Sequence, residues 1–168
     1  MRLYGRRPLS RLESALYAAI AAILAAVLLD RLYIYFEIAE QAATQVTLVN
    51  LQAGLNTRLA YDVMRGEAKD LAKWRARNPF ELAGMRPANF LGELDAPDLA
   101  SQERGNWLFD SSAGQLVYLP KQSRSLAVAD PNQALRFRLE VRGGPGAAYR
   151  AIVVPVAPYK WEPGQNLF

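Results

Sequence analysis

The chain has 168 residues, 51% of them hydrophobic and 21% charged, and it contains neither Cys nor His. That is enough for one ordinary domain plus an anchoring segment, while disulfides, thiolate nucleophiles, imidazole bases and the commonest zinc ligands are all excluded. The net charge of +4 sits at the N-terminus, where Arg2, Arg6, Arg7 and Arg11 face Glu13 alone, and the rest carries sixteen basic and fifteen acidic groups, so the folded part lacks the basic stripe that nucleic acid requires.

After the arginines, "SRLE" (10–13) has the Ser-x-x-Glu spacing of a capping box. In that arrangement the Ser10 hydroxyl accepts from the Glu13 N–H and the Glu13 carboxylate accepts from the Ser10 N–H. An acid in the first turn also suits the helix dipole. A second role for Glu13 stands beside this one. A carboxylate low in a bilayer costs roughly 2.5–3.5 kcal/mol at the centre of a span and less near its edge, so it tends to find a positive partner.

From Ala15 to Leu29 the only polar atom in the side chains is the Tyr17 hydroxyl, and Leu32–Phe36 resume the apolar run after Asp30 and Arg31. The whole stretch is long enough to span a membrane. The preceding arginines put the N-terminus on the cytoplasmic side. Tyr33, Tyr35 and Phe36 follow as an interfacial belt, and Asp30–Arg31 reads as a charge pair at the outer edge. No small-x-small site marks a cleaved signal. A retained single-span anchor is therefore the expectation, with a buried core helix as its competitor. Seven of the fifteen residues from Ala15 to Leu29 are Ala, and Ala18, Ala22 and Ala26 repeat every four. That spacing lets helices approach closely in lipid, although Ala is also simply a good helix former.

The pattern then continues without Pro to Met64, with Leu48, Leu51, Leu55, Leu59 and Val63 at intervals of three and four. One helix is predicted from about Ser10 to the mid-sixties, on the order of 80 Å long at 1.5 Å per residue. Gly66 permits a break, "EAKDLAKWRAR" adds a further turn or two with Trp74 at a partly exposed end beside Arg75 and Arg77, and Asn78–Pro79 stops the helix.

Beyond Pro79 the period changes. Residues 84–98 read as loop. "NWLFDSSAGQLVYLP" (106–120) reads as a hairpin with Trp107, Phe109, Leu116 and Tyr118 on its apolar face. "ALRFRLEVR" (134–142) alternates Leu135, Phe137, Leu139 and Val141 with Arg136, Arg138, Glu140 and Arg142, a strand with one buried and one wet face. "GGPG" (143–146) turns the chain into a last strand ending at Pro155, and "PYKWEPGQNLF" is either docked on the sheet or an exposed patch. Glu93, Asp95 and Asp98 lack the spacing of a calcium loop. No enzyme, cofactor or metal site is expected.

A basic leader, a Glu at the start of an apolar helix, a long helix leaving the membrane and a C-terminal antiparallel sheet together resemble the type IV pilins and the pseudopilins of type II secretion. "PLSRLE" occupies the place of that family's "GFTLIE"-like stretch, with Pro8 where its Gly stands and Arg11 where it has an apolar or small polar residue. The "NWLFDSSAGQLVY" segment is similar to the tryptophan-containing hairpins of minor pilins. The resemblance implies processing by a prepilin peptidase between Pro8 and Leu9, methylation of the new amine, and pairing of Glu13 with a neighbouring subunit. It further implies other pilins or pseudopilins and inner-membrane assembly proteins as partners.

The expected fold is α+β: a leader at 1–9, a transmembrane helix at 10–36, a periplasmic helical extension at 37–78, and a periplasmic antiparallel head at 79–168. The expected function is that of a minor pilin-like subunit of the bacterial inner membrane. An uncleaved bitopic scaffold or adaptor of another envelope complex is the alternative.

Overall fold

A computed structural model describes residues 10–144 and 147–164. One unbroken helix, α1 (Arg11–Met64), carries the whole N-terminal half. It starts where the sequence supplies a cap, since Ser10 and Glu13 form both hydrogen bonds of the capping box. It ends just before Gly66, whose φ of 72° takes the left-handed region that stops a helix. A 3-10 helix (Ala68–Ala76) and a short α2 (Pro79–Leu82) follow. Pro79 does more than end a helix, for it opens α2, and Asn78 caps that helix by accepting from the Phe80 N–H at 3.0 Å.

Seven strands come next: β1 (Phe90–Leu94), β2 (Asn106–Asp110), β3 (Gln115–Leu119), β4 (Leu126–Val128), β5 (Leu135–Gly144), β6 (Ala147–Pro155) and β7 (Tyr159–Trp161). They form a five-stranded sheet in the order β1-β2-β3-β5-β6 and a small β4-β7 pair. From β2 to β6 every pairing in the larger sheet is antiparallel, which makes the expected meander. The architecture is therefore α+β, one long helix packed on a small sheet.

Three features differ from the sequence reading. The stretch 84–98 contains β1, which pairs parallel to β2 with a register break between Phe90 and Glu93, so the sheet is mixed. Its register break includes Gly92 at φ 112°, while Pro87 and Pro97 lie on either side of the strand. The strand ending at Pro155 is not the last, because β7 pairs with the unexpected β4. Trp74 is buried and belongs to the main core rather than lying at an exposed helix end.

The core lies between the distal half of α1 and the sheet. Leu51, Leu55 and Leu59 meet Phe80, Trp107, Leu116, Tyr118, Leu135, Phe137 and Leu139, and Phe80 packs edge-on against Trp107 with ring centroids 5.6 Å apart. Val63, the last member of the leucine stripe, is exposed. The hairpin is buried on both faces, since Leu108, Val117 and Leu119 join Leu99 and Ala134 in a second cluster. On β5 the alternation is as expected: the apolar set faces the core while Glu140 sits between Arg138 and Arg142 at 2.9 and 2.8 Å.

The proximal half of α1 is bare. It is long and apolar enough to cross a membrane, and none of that window is buried in the structure. Leu16, Ile20, Ile23, Leu24, Val27 and Leu28 are all exposed, so this segment is no core helix of the head. A long exposed apolar surface of this kind marks contact with lipid or other helices. It is a candidate membrane span.

Candidate functional site

Extending the leucine stripe of α1 backward in steps of three and four leads from Leu48 to Thr44, Gln41, Glu40 and Glu37. These side chains therefore face the head, and the structure gathers them into a polar clasp. Glu37 is fully buried. Its Oε1 accepts from the Ser125 N–H at 2.7 Å and the Trp161 indole N–H at 3.1 Å, and its Oε2 accepts from the Ser125 hydroxyl at 3.1 Å. Glu40, one turn on, accepts from the Tyr118 hydroxyl at 2.8 Å and from the Lys121 and Gln122 N–H groups at 2.6 and 2.7 Å. Gln41 donates to the Trp161 carbonyl. Burial, reinforced by the Glu40 carboxylate, pushes the Tyr118 hydroxyl far above its ordinary pKa, so it stays a donor.

The donors come from β3, the β3–β4 connection and β7. Two carboxylates thus organise a segment that has little secondary structure of its own. Charge-assisted hydrogen bonds are worth about 1.5–3 kcal/mol each, and a buried carboxylate left without them is costly. The clasp fixes the head's angle and height on the helix.

A second set of contacts lies further along α1. Gln52 accepts from the Val153 N–H at 2.9 Å and donates to the Ala151 carbonyl, while Asn56 accepts from the Ala151 N–H at 3.1 Å. These amide side chains stand where a neighbouring strand would and cap the outer edge of β6. Between Gln52 and Asn56 in sequence, Gly54 lets α1 approach the end of α2, because a Cβ there would lie 2.9 Å from the Ala83 Cβ.

Nearer the apolar segment, Asp30 pairs with Arg124 of the head at 2.7 Å, and Arg124 also lies 4.8 Å over the Tyr33 ring. Asp30 is therefore a helix-to-head link and not half of a local pair with Arg31. Pairing with Asp30 raises the Arg124 pKa above its ordinary value.

The residues singled out from sequence fall mostly on the bare segment. Ser10 and Glu13 form the helix cap. Ala18, Ala22 and Ala26 are exposed. Pro8 and Leu9 lie outside the described residues, as do Pro145 and Gly146 of the "GGPG" turn and Phe168 of the tail. Trp161 of that tail is buried in the clasp. Among the described residues no group of three or more Asp or Glu is placed to hold a metal ion, and Asp98 accepts instead from the Ala100 N–H at 3.1 Å.

Glu37, Glu40, Gln41, Gln52 and Asn56 were missed from sequence. The signal was present, since they continue or flank the leucine stripe, but an acid on an otherwise apolar face reads as a break in the pattern until its donors are seen. No family model matches the chain, no curated protein matches it, and no solved structure matches its fold.

Proposed function

We propose that this chain is a single-pass, pilin-like or pseudopilin-like subunit of the bacterial inner membrane. In this reading its N-terminal helix packs laterally with neighbouring subunits, as a minor component of a type IV pilus or type II secretion pseudopilus. The supporting observation is that one continuous helix of 54 residues has a bare apolar half and a half clamped to a sheet. A stem so exposed needs lipid or other helices around it, and a head locked by Glu37 and Glu40 moves with the stem as a unit. The basic residues preceding the span are the basis for a cytoplasmic N-terminus and a periplasmic head.

The capping box favours a second reading, an uncleaved bitopic scaffold or adaptor. Glu13 already has a partner in the Ser10 N–H at 2.8 Å, so it does not depend on a charge from another subunit. Intact mass and N-terminal sequencing separate the two, using chain purified from membranes of a host that carries a prepilin peptidase. The pilin-like reading expects a chain that starts at Leu9 with a methylated amine. A chain starting at Met1 rejects processing and leaves the scaffold.

A further inference from the structure

A groove of ≈ 840 Å³ opens where the bare helix meets the underside of the head. Ala26, Val27 and Ile34 form its apolar wall, and Arg31, Arg124 and Lys160 supply its positive charge against Asp30 and Glu162. Its height is set by the span. From Arg11 to Leu29 the helix rises about 28 Å, close to the roughly 30 Å of a hydrocarbon core. With that segment in a bilayer, Ala26 and Val27 lie within the outer acyl region and the three basic side chains lie at the level of the phosphates.

We infer that this groove holds the headgroup of an anionic phospholipid of the outer leaflet, with the phosphate at Arg31, Arg124 and Lys160 and the glycerol and upper acyl chain against Ala26 and Val27. The inference rests on the reading that residues 11–29 span a membrane. The lining has three cations and two anions, so it carries a net positive charge before a lipid enters. Arg31 has no ion-pair partner among the described residues. The other two cations are held in open ion pairs, Arg124 also lying over the Tyr33 ring: Arg124 and Asp30 side chains are 62% and 58% exposed, and those of Lys160 and Glu162 are 63% and 40% exposed. Open pairs of this kind contribute little, so a phosphate can replace one carboxylate at little cost, and guanidinium is well suited to phosphate oxygens. A lipid bound there would add a contact between head and membrane beside the clasp.

The test uses the full chain, extracted from membranes in mild detergent and weighed by native mass spectrometry after exchange into mixed phosphatidylglycerol and phosphatidylethanolamine micelles. The wild type is expected to retain about one phosphatidylglycerol more than R31Q/K160Q, a variant that keeps the Asp30–Arg124 link. The leader arginines are the same in both chains, so that difference reports on the groove. E162Q removes a competing carboxylate and is expected to retain more of the anionic lipid, an effect that loosening of the fold would not produce. Equal retention of the two lipids by wild type, or identical retention by R31Q/K160Q, overturns the proposal. Displacement of the lipid by millimolar inorganic phosphate also overturns it, by making the groove a general anion site. Resistance of the chain to alkaline extraction from membranes is scored separately, so failure of the span reading is distinguishable from failure of the lipid site.

Discussion

Glu37 and Trp161 stand 124 residues apart in sequence, yet the Trp161 indole N–H donates to Glu37 Oε1 at 3.1 Å inside the helix–head junction. The same oxygen accepts from the Ser125 N–H, while the other faces the Ser125 hydroxyl. Because a hydroxyl can accept as well as donate, Glu37→Gln can keep all three contacts with its NH2 toward Ser125 Oγ. Both oxygens of Glu40 instead face hydrogens that cannot turn away, so one backbone N–H must oppose the amide of Glu40→Gln. Thermal melts of the full chain are expected to rank Glu37→Gln within about 1 kcal/mol of wild type, Glu40→Gln lower by about 1–2, and Glu37→Leu lower by about 3 or more, as donors are progressively orphaned. Equal effects of the two amide variants would refute the assigned donor geometry.

The edge of β6 offers a residue-by-residue test. Gln52→Ala frees the Val153 N–H and Asn56→Ala frees the Ala151 N–H. Each variant is expected to speed hydrogen exchange at its own amide, by roughly tenfold for each 1.4 kcal/mol of protection lost, and to leave the other amide slow. Unchanged exchange at both sites would mean that the helix does not cap the edge.

Gly54 makes a test of close packing. Alanine there should gain about 1 kcal/mol of helix propensity. Its Cβ would meet the Ala83 Cβ at 2.9 Å and the Ala83 carbonyl oxygen at 3.1 Å, and overpacking against backbone costs about 1–3 kcal/mol. Gly54→Ala is therefore expected to lower the melting temperature, and Gly54→Val to lower it further. A rise on Gly54→Ala would show that α1 and α2 are not in contact at this point.

The head should be acid-sensitive through two carboxylates. Burial would raise the Asp130 pKa from its ordinary 3.8, but the hydrogen bonds from Arg136 and the Asn132 N–H, with the Arg136 charge, outweigh it and hold the group low. Glu140 is held below its ordinary 4.5 chiefly by the hydrogen bond from Arg142, which Arg138 reinforces against the opposing effect of desolvation. A depressed folded pKa means stability that is present above the unfolded value and lost as pH falls through the folded one. Melting temperature is thus expected to be level from neutral pH to about 5 and to fall below that. Arg136→Gln should flatten the fall by removing the Asp130 partner, and an unaltered acid limb would exclude Asp130 as a cause.

Glu13→Gln separates capping from pairing. The amide oxygen still accepts from the Ser10 N–H, so helix content should hold while the charge is gone. In the pilin-like reading, subunit cross-linking in membranes is expected to drop several-fold although the chain still inserts. Unchanged cross-linking would leave Glu13 as a cap alone.

What the sequence by itself determined were the features governed by local physics. The capping box at Ser10 and Glu13, the uninterrupted helix to Met64, the Leu51–Leu55–Leu59 stripe, the β2–β3 hairpin and the alternation of β5 all follow from spacing within a few residues. Only the tertiary structure decided the rest, because each of those features depends on a distant partner. β1 becomes a strand through parallel pairing with β2, which no turn announces. β4 and β7 find one another across more than thirty positions. Asp30 takes Arg124 in preference to its neighbour Arg31, and Glu37 becomes an interior group only when Ser125 and Trp161 bring it their hydrogens. A buried carboxylate costs too much without donors, and those donors are assembled only when the chain has folded back onto its first helix.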